Sequence, residues 1–279
     1  MAVPAFAQFS LLLELSAASI GSEMDIAIQT HQLTRKFGSF CAVDDVDLKV
    51  QRGTFYGFLG PNGAGKSTTI KMLTGLLAPT SGTISVLDQD PLNKEQALIM
   101  KSRIGVVPED LALFDNLKAA EYLTFLGRMH SMPMDILRTR IEELLVLLDL
   151  QKDADKLTLE YSHGMKKKLA LAAALLPDPD LLFLDEPFEG VDAIASRTIR
   201  KILTNFRERG STIFLTSHVL EIVERLCTHV GIIVSGKLVE QTSLGGLGSG
   251  GSLEQRFLEV VGTDVEQEAN LSWLSEGGR

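Results

Sequence analysis

Cysteine is scarce in this chain of 279 residues: Cys41 and Cys227 stand far apart, and neither has a neighbour at metal-ligand spacing. A disulfide scaffold and a cysteine-based zinc site are excluded, and reduced thiols in a cytoplasmic protein are expected. Positive charge is in short supply too, with 27 Lys and Arg against 36 Asp and Glu and a formal net charge of −9. Nucleic-acid binding needs clustered cations to neutralise phosphates, so no nucleic-acid partner is expected. The basic triplet Lys166-Lys167-Lys168 precedes an apolar helical run and reads as the polar flank of a helix. Nor does any run reach the ~20 apolar residues that cross a bilayer. The nearest candidate, Met1 to Ile20, is interrupted by Pro4 and Glu14 and lacks the basic start of a secretory signal. Residues 1–23 are therefore expected to be an N-terminal extension, disordered or loosely packed, ahead of a natural start at Met24. With 45% apolar and 23% charged residues, the chain as a whole has an ordinary globular balance.

What is present is more specific. Gly60-Pro61-Asn62-Gly63-Ala64-Gly65-Lys66-Ser67-Thr68 matches the phosphate-loop pattern G-x-x-x-x-G-K-[ST] at each specified position. Gly60, Gly63 and Gly65 allow backbone angles that a Cβ would forbid, so successive N–H groups can form a nest for phosphate oxygens. Lys66 supplies a charge for the β- and γ-phosphates, and Ser67 offers a hydroxyl to Mg²⁺. The flanks fit, with Thr54–Leu59 reading as a buried strand and Ser67–Leu73 as a helix whose dipole adds to the site. An incidental glycine turn would not carry this context.

Further on, Leu181-Leu182-Phe183-Leu184 is an apolar run between Pro177-Asp178-Pro179-Asp180 and Asp185-Glu186-Pro187. It reads as a buried parallel strand ending in two acids, on the rim where ligands of open α/β sheets sit. From there Asp185 can reach a Mg²⁺ shell and Glu186 can polarise an attacking water. Standing alone, the pair could instead cap the next helix.

Tyr161-Ser162-His163-Gly164-Met165, just ahead of a helical run, resembles the signature motif of ATP-binding-cassette (ABC) ATPases. Further positions support the resemblance: His218 after the strand Thr212–Thr216 is similar to the switch histidine, Gly190-Val191-Asp192 to the D-loop, and Phe37 to the aromatic residue that stacks on adenine. The match runs from about Met24 to about Val239. It implies an α/β P-loop NTPase fold: an ABC cassette with a RecA-like core, an antiparallel β subdomain and an α-helical subdomain over about 91–177. It also implies ATP and Mg²⁺ as cofactors, ATPase activity, and a head-to-tail pair made with itself or with a related ABC ATPase. In such a pair Ser162, His163, Gly164 and Met165 face the partner's nucleotide, with Ser162 as N-cap. Ser67, Glu109 and Asp185 are implied as Mg²⁺ ligands, Glu186 and His218 as the catalytic pair, and Asp192 as the D-loop acid.

Three departures stand out. His163 and Met165 replace the usual glycine and glutamine of the signature. Backbone donation in trans survives a side chain there, and His163 either adds a phosphate contact or is simply tolerated at the dimer face. Glu109 stands where glutamine is common, bringing another negative charge toward a polyanion. Phe37 replaces a common tyrosine and keeps the stacking face. With the Leu253–Val261 segment, these departures resemble the ATPase subunits of ABC-2-type exporters.

The resemblance implies a separate transmembrane permease and a peripheral place on the cytoplasmic face of the membrane, with export favoured over import. Leu111-Ala112-Leu113-Phe114 is the expected docking element, because its loop joins the ATP site. Other functions fit less well. A chromosome ATPase of related design would need a long coiled coil between the phosphate loop and the signature, where only about a hundred residues without sustained heptads lie. A ribosome-associated relative usually has two cassettes in one chain, and a small-molecule kinase would not need Ser162, Asp192 and His218 in this order. The expected organisation is a cassette over 24–244 and, over 245–279, a flexible Gly/Ser linker, a short helix and an acidic tail.

Overall fold

The computed structural model describes residues 26–246 and 252–262. The expected extension at 1–23, most of the linker at 245–251 and the acidic tail lie outside the described residues.

Alternation of apolar and polar residues in the first described segment builds an antiparallel sheet from β1 (Ile26–Phe37), β2 (Phe40–Val46), β3 (Lys49–Gln51) and β5 (Ser81–Val86). Strand β1 is its spine, with β2, β3 and β5 all pairing antiparallel to it. The apolar runs make a second, six-stranded sheet in the order β10-β9-β4-β8-β7-β6. Its members are β4 (Phe55–Leu59), β6 (Ile104–Val107), β7 (Leu181–Asp185), β8 (Thr212–Ser217), β9 (His229–Val234) and β10 (Lys237–Ser243). Strands β4, β7 and β8 are buried at every position, as expected of parallel strands covered on both faces. All pairings in this sheet are parallel except β10 with β9.

Adjacency of β4, β8 and β7 positions the site. Their carboxyl ends lead into the phosphate loop, into Ser217-His218 and into Asp185-Glu186 respectively, so residues distant in sequence arrive on one rim. Helix α1 (Lys66–Leu73) leaves the loop, and α2 (Lys94–Arg103) follows β5. Helix α2 is held at its start by the Asn93 side chain, which accepts from the N–H groups of Glu95 and Gln96.

A helical layer of α3 (Ala119–Met129), α4 (Met134–Leu147) and α5 (His163–Leu175) packs on one side of this sheet. The periodic pattern predicts α4 as far as Leu150, but the helix stops at Leu147. Asp149 takes a left-handed φ of 52°, which a continuing helix does not allow. Beyond α5 come α6 (Ala193–Glu208), α7 (Leu220–Leu226) and α8 (Leu253–Val261). The Leu253–Val261 segment does form a helix that returns to the core. Leu253 is buried, and its N–H donates to Glu224 Oε1 at 2.7 Å. None of the described helices is long and apolar enough to cross a membrane.

Helix α5 runs so close to β6 that a Cβ on Gly105 would collide with the Ala174 carbonyl oxygen, which is main chain and cannot swing aside. Gly105→Ala is therefore expected to lower unfolding free energy by about 1–3 kcal/mol, measured by urea denaturation, through displacement of the helix from the sheet.

Candidate functional site

A cavity of about 360 Å³ opens at the carboxyl ends of β4, β7 and β8, lined by Asn62, Gly63, Gly65, Lys66, Ser67, Thr68, Glu109, Glu186, Glu189 and His218, with Phe40 and Ala42 on one wall. The loop is shaped by glycine for two different reasons. Gly63 and Gly65 take left-handed φ values of 79° and 107°, which favour a residue without Cβ. Gly60 is not in that region. Its need is space, because a Cβ there would strike the Ile233 carbonyl oxygen. Of the remaining loop residues, Pro61 is exposed and Ala64 is packed inward. Lys66 is 7% exposed and turns back under the loop, donating to the Gly60 carbonyl at 2.7 Å and to that of Pro61 at 3.3 Å. Its ammonium group is thus held beneath the main-chain donors, at the positive end of the α1 dipole.

Across the cavity, the Ser67 hydroxyl donates to Glu109 Oε2 at 3.0 Å, bringing together two oxygen groups singled out in the sequence. Asp185, 3% exposed, lies behind the lining rather than on it, and its Oδ1 accepts from the Thr216 hydroxyl. Thr216 also accepts the N–H of Glu186 at 3.2 Å. Glu186 has a left-handed φ of 49°, a sparsely populated conformation for a side chain of this size. Its carboxylate meets His218 Nδ1 at 3.0 Å, and its carbonyl accepts from Lys167 Nζ at 2.7 Å.

The lining carries three carboxylates, Glu109, Glu186 and Glu189, against a single ammonium group, Lys66. Such a surface receives a polyphosphate only if a further cation offsets the repulsion. Hard oxygen ligands with phosphate completing the shell suit Mg²⁺, and the Ser67–Glu109 pair fits that preference. No cluster of three or more His, Cys, Asp or Glu side chains suited to a metal occurs among the described residues.

The signature residues lie outside this cavity in their own chain. Ser162 is the N-cap of α5, its hydroxyl accepting from the Met165 N–H at 3.2 Å, and Ser162 and His163 are exposed while Gly164 and Met165 are half-buried. The helix start is therefore open to solvent. His163 also touches its own D-loop: a Cβ on Gly190 would come within 2.7 Å of the imidazole Cδ2. Asp192 caps α6 by accepting from the N–H groups of Ile194 and Ala195, each at 2.9 Å. Those bonds, that of Ala195 foremost, hold its carboxyl below the usual carboxylate range.

The reading of the basic triplet needs correction, and the place of Phe37 is now visible. Lys166-Lys167-Lys168 is not uniformly polar flank: Lys167 is 2% exposed and turned inward to Glu186, because successive residues point in different directions around a helix and Lys167 falls on the side that meets Glu186. Burial pulls its ammonium below the ordinary lysine value, against the opposing attraction of nearby carboxylates, Glu189 foremost. Phe37, in turn, does not line the cavity. The Arg35 guanidinium lies 4.5 Å over its ring, and its cross-strand partner Phe40 occupies the wall. Thr216 and Lys167 went unnoticed in the sequence because both act on the backbone or on a buried acid; only the pairing of β7 with β8 and the depth of α5 reveal them.

Known proteins resemble this chain in sequence and in overall fold. The sequence pattern of the family described as ABC transporter matches residues 43–189. A bacitracin transport ATP-binding protein, BcrA of Bacillus licheniformis, is 40% identical over 219 residues, covering 78% of this chain and 70% of that protein. A Nod factor export ATP-binding protein I of Cupriavidus metallidurans is 38% identical over 222 residues, covering 78% and 71%. A solved ATP-binding subunit of an ABC transporter superposes with a TM-score of 0.79 at 27% identity, covering 85% of this chain and all of that one.

Thr216→Val keeps the shape of the threonine while leaving the Asp185 carboxylate and the Glu186 N–H unsatisfied. A loss of about 1–3 kcal/mol in urea denaturation is expected, together with slower ATP hydrolysis. With the parallel sheet, the phosphate loop and these relatives in agreement, the chain belongs to the ABC transporter family and is one of its ATP-hydrolysing cassettes.

Proposed function

We propose that this chain powers export through a separate transmembrane permease, working as a head-to-tail pair in which each ATP lies between one subunit's phosphate loop and the other's signature helix. The observation that carries this reading is the convergence of Lys66, Ser67, Glu109, Glu186 and His218 on one cavity, while Ser162 is left facing solvent. ATP phosphates are cradled by the loop N–H groups from Asn62 to Thr68. Lys66 exchanges its carbonyl partners for β- and γ-phosphate oxygens. Phe37 and Phe40 supply aromatic surface for the adenine at the hairpin tip.

Ser67, Glu109 and Asp185 would hold Mg²⁺, which would supply positive charge to offset that of the phosphates. Glu186 accepts a proton from the attacking water as its oxygen bonds to the γ-phosphorus. The bond to the bridging oxygen breaks with its electron pair, leaving ADP and inorganic phosphate. His218 steadies the water and the γ-phosphate, and its pairing with Glu186 at 3.0 Å keeps both on the same side of the cavity. In trans, the Ser162 hydroxyl and the free N–H groups at the start of α5 meet the partner's γ-phosphate.

A groove of about 370 Å³ between the sheet and the helical layer supports the permease assignment. It is lined by Pro108, Leu111, Ala112, Leu113, Tyr122 and Leu126, among others, and follows directly on Glu109. Phe114 stands at its side, half-exposed and edge-on to Phe125 at 5.4 Å. A permease helix seated there would be tied to the Mg²⁺ side of the ATP site through the loop at 108–113. Export is favoured because one curated relative is an export protein by name and another transports bacitracin. On this reading the protein sits on the cytoplasmic face of the membrane.

Glu186→Gln is expected to abolish turnover and trap an ATP-bound dimer visible by gel filtration; normal hydrolysis would remove Glu186 from the role of base. Glu109→Gln is expected to lower the Mg²⁺ concentration required for nucleotide binding, read from titrations at fixed ATP. The transport reading is tested by co-purification from native membranes: a polytopic partner that stimulates ATPase activity supports it, and recovery with ribosomes or DNA-repair factors alone defeats it.

A further inference from the structure

Lys167 is a lysine where the fold offers no water. It lies on an inward side of α5, 2% exposed, in a helix whose Leu169, Ala170 and Leu171 are also buried. A buried ammonium group persists only with a hydrogen-bond partner and nearby negative charge. Its hydrogen-bond acceptor is the main-chain carbonyl of Glu186 at 2.7 Å, and Asp185, Glu186, Glu189 and Glu109 supply the field. The partner carbonyl belongs to the peptide joining Glu186 to Pro187. Glu186 therefore combines a left-handed φ of 49° with a following proline, which itself restricts the preceding backbone. Such a residue stays in place only where its surroundings over-determine it. Its N–H is taken by Thr216, its carboxylate by His218, and its carbonyl by Lys167, with a longer bond of 3.3 Å from the Glu189 N–H.

The geometry points to Lys167 as a positioning residue that holds the Glu186 backbone, and through it the carboxylate, in the orientation hydrolysis requires. This rests on the reading of Glu186 as the base. Because Lys167 stands one turn into the helix that Ser162 caps, it also ties the end that meets the partner's nucleotide to the acid serving the chain's own nucleotide. Lys167 touches no substrate atom; its effect passes entirely through Glu186.

The test compares Lys167→Met, which fills the space and removes donor and charge, with Lys167→Arg, which restores both, alongside Glu186→Gln. Lys167→Met is expected to lower kcat about 10- to 100-fold, the scale of a misplaced catalytic group. KM for ATP should stay within about twofold, since ground-state contacts are untouched. Lys167→Arg should recover much of the loss. Lys167→Met combined with Glu186→Gln should still form the ATP-bound dimer on gel filtration, which shows a folded, nucleotide-binding cassette. A wild-type kcat for Lys167→Met, a matching loss of ATP affinity, or failure of the double variant to dimerise where Glu186→Gln alone does would overturn the positioning role. Full turnover by Glu186→Gln would instead defeat the reading of Glu186 itself.

Discussion

The parallel pairing of β7 with β8 is the constraint on which the nucleotide end depends. It sets Asp185 opposite Thr216, and that register lets one hydroxyl bind the Asp185 carboxylate and the Glu186 N–H together. A slip of one residue would send every side chain of β7 to the other face of the sheet and put Glu186 where Asp185 is buried. Leu181, Leu182, Phe183 and Leu184 are all without solvent exposure, so such a slip would also repack the core on both faces of the sheet. The hydrophobic core therefore fixes the position of two acids to which it makes no polar contact.

Two lysines then define the two sides of that acid pair. Lys66 and Lys167 are both buried, and both donate to main-chain carbonyls rather than to carboxylates. Their accessibility differs. Lys66 lines the cavity, where phosphate oxygens can replace the carbonyls of Gly60 and Pro61. Lys167 lies behind the acids and has no such exchange open to it. One cation is thus suited to ligand binding and the other to holding the protein's own backbone. The three carboxylates of the lining give the site a standing demand for positive charge, which a magnesium-nucleotide complex meets and a bare polyphosphate does not.

Helix α5 connects these features to the rest of the molecule. Its base packs against β6 at Gly105, its middle holds Glu186 through Lys167, and its first turn touches Gly190 while remaining open to solvent. On the proposed reading, movement of its first turn by a partner's nucleotide is felt at the acid strand through Lys167 and Gly190 at once. The apolar groove beside Leu111 and Leu113 is lined in part by Ala170, Ala173 and Ala174 of the same helix, so on the proposed reading permease contacts and nucleotide contacts share one helical unit.

The phosphate loop, the acidic strand and the start of α5 were legible because each is a local pattern whose chemistry and geometry are written in consecutive residues. The loop needs its glycines where they stand, an apolar run ending in acids reads as a buried strand meeting a rim once the loop is in the same chain, and Ser162 caps its own helix. By itself the sequence thereby determined the family, the α/β fold and most residues of the cavity. The inward turn of Lys167, the bridging by Thr216, the end of α4 at Leu147, and Phe40 rather than Phe37 on the cavity wall were decided only by tertiary structure. Each depends on what lies opposite a residue once strands pair and helices pack, and periodicity along one segment carries no information about the segment that will face it.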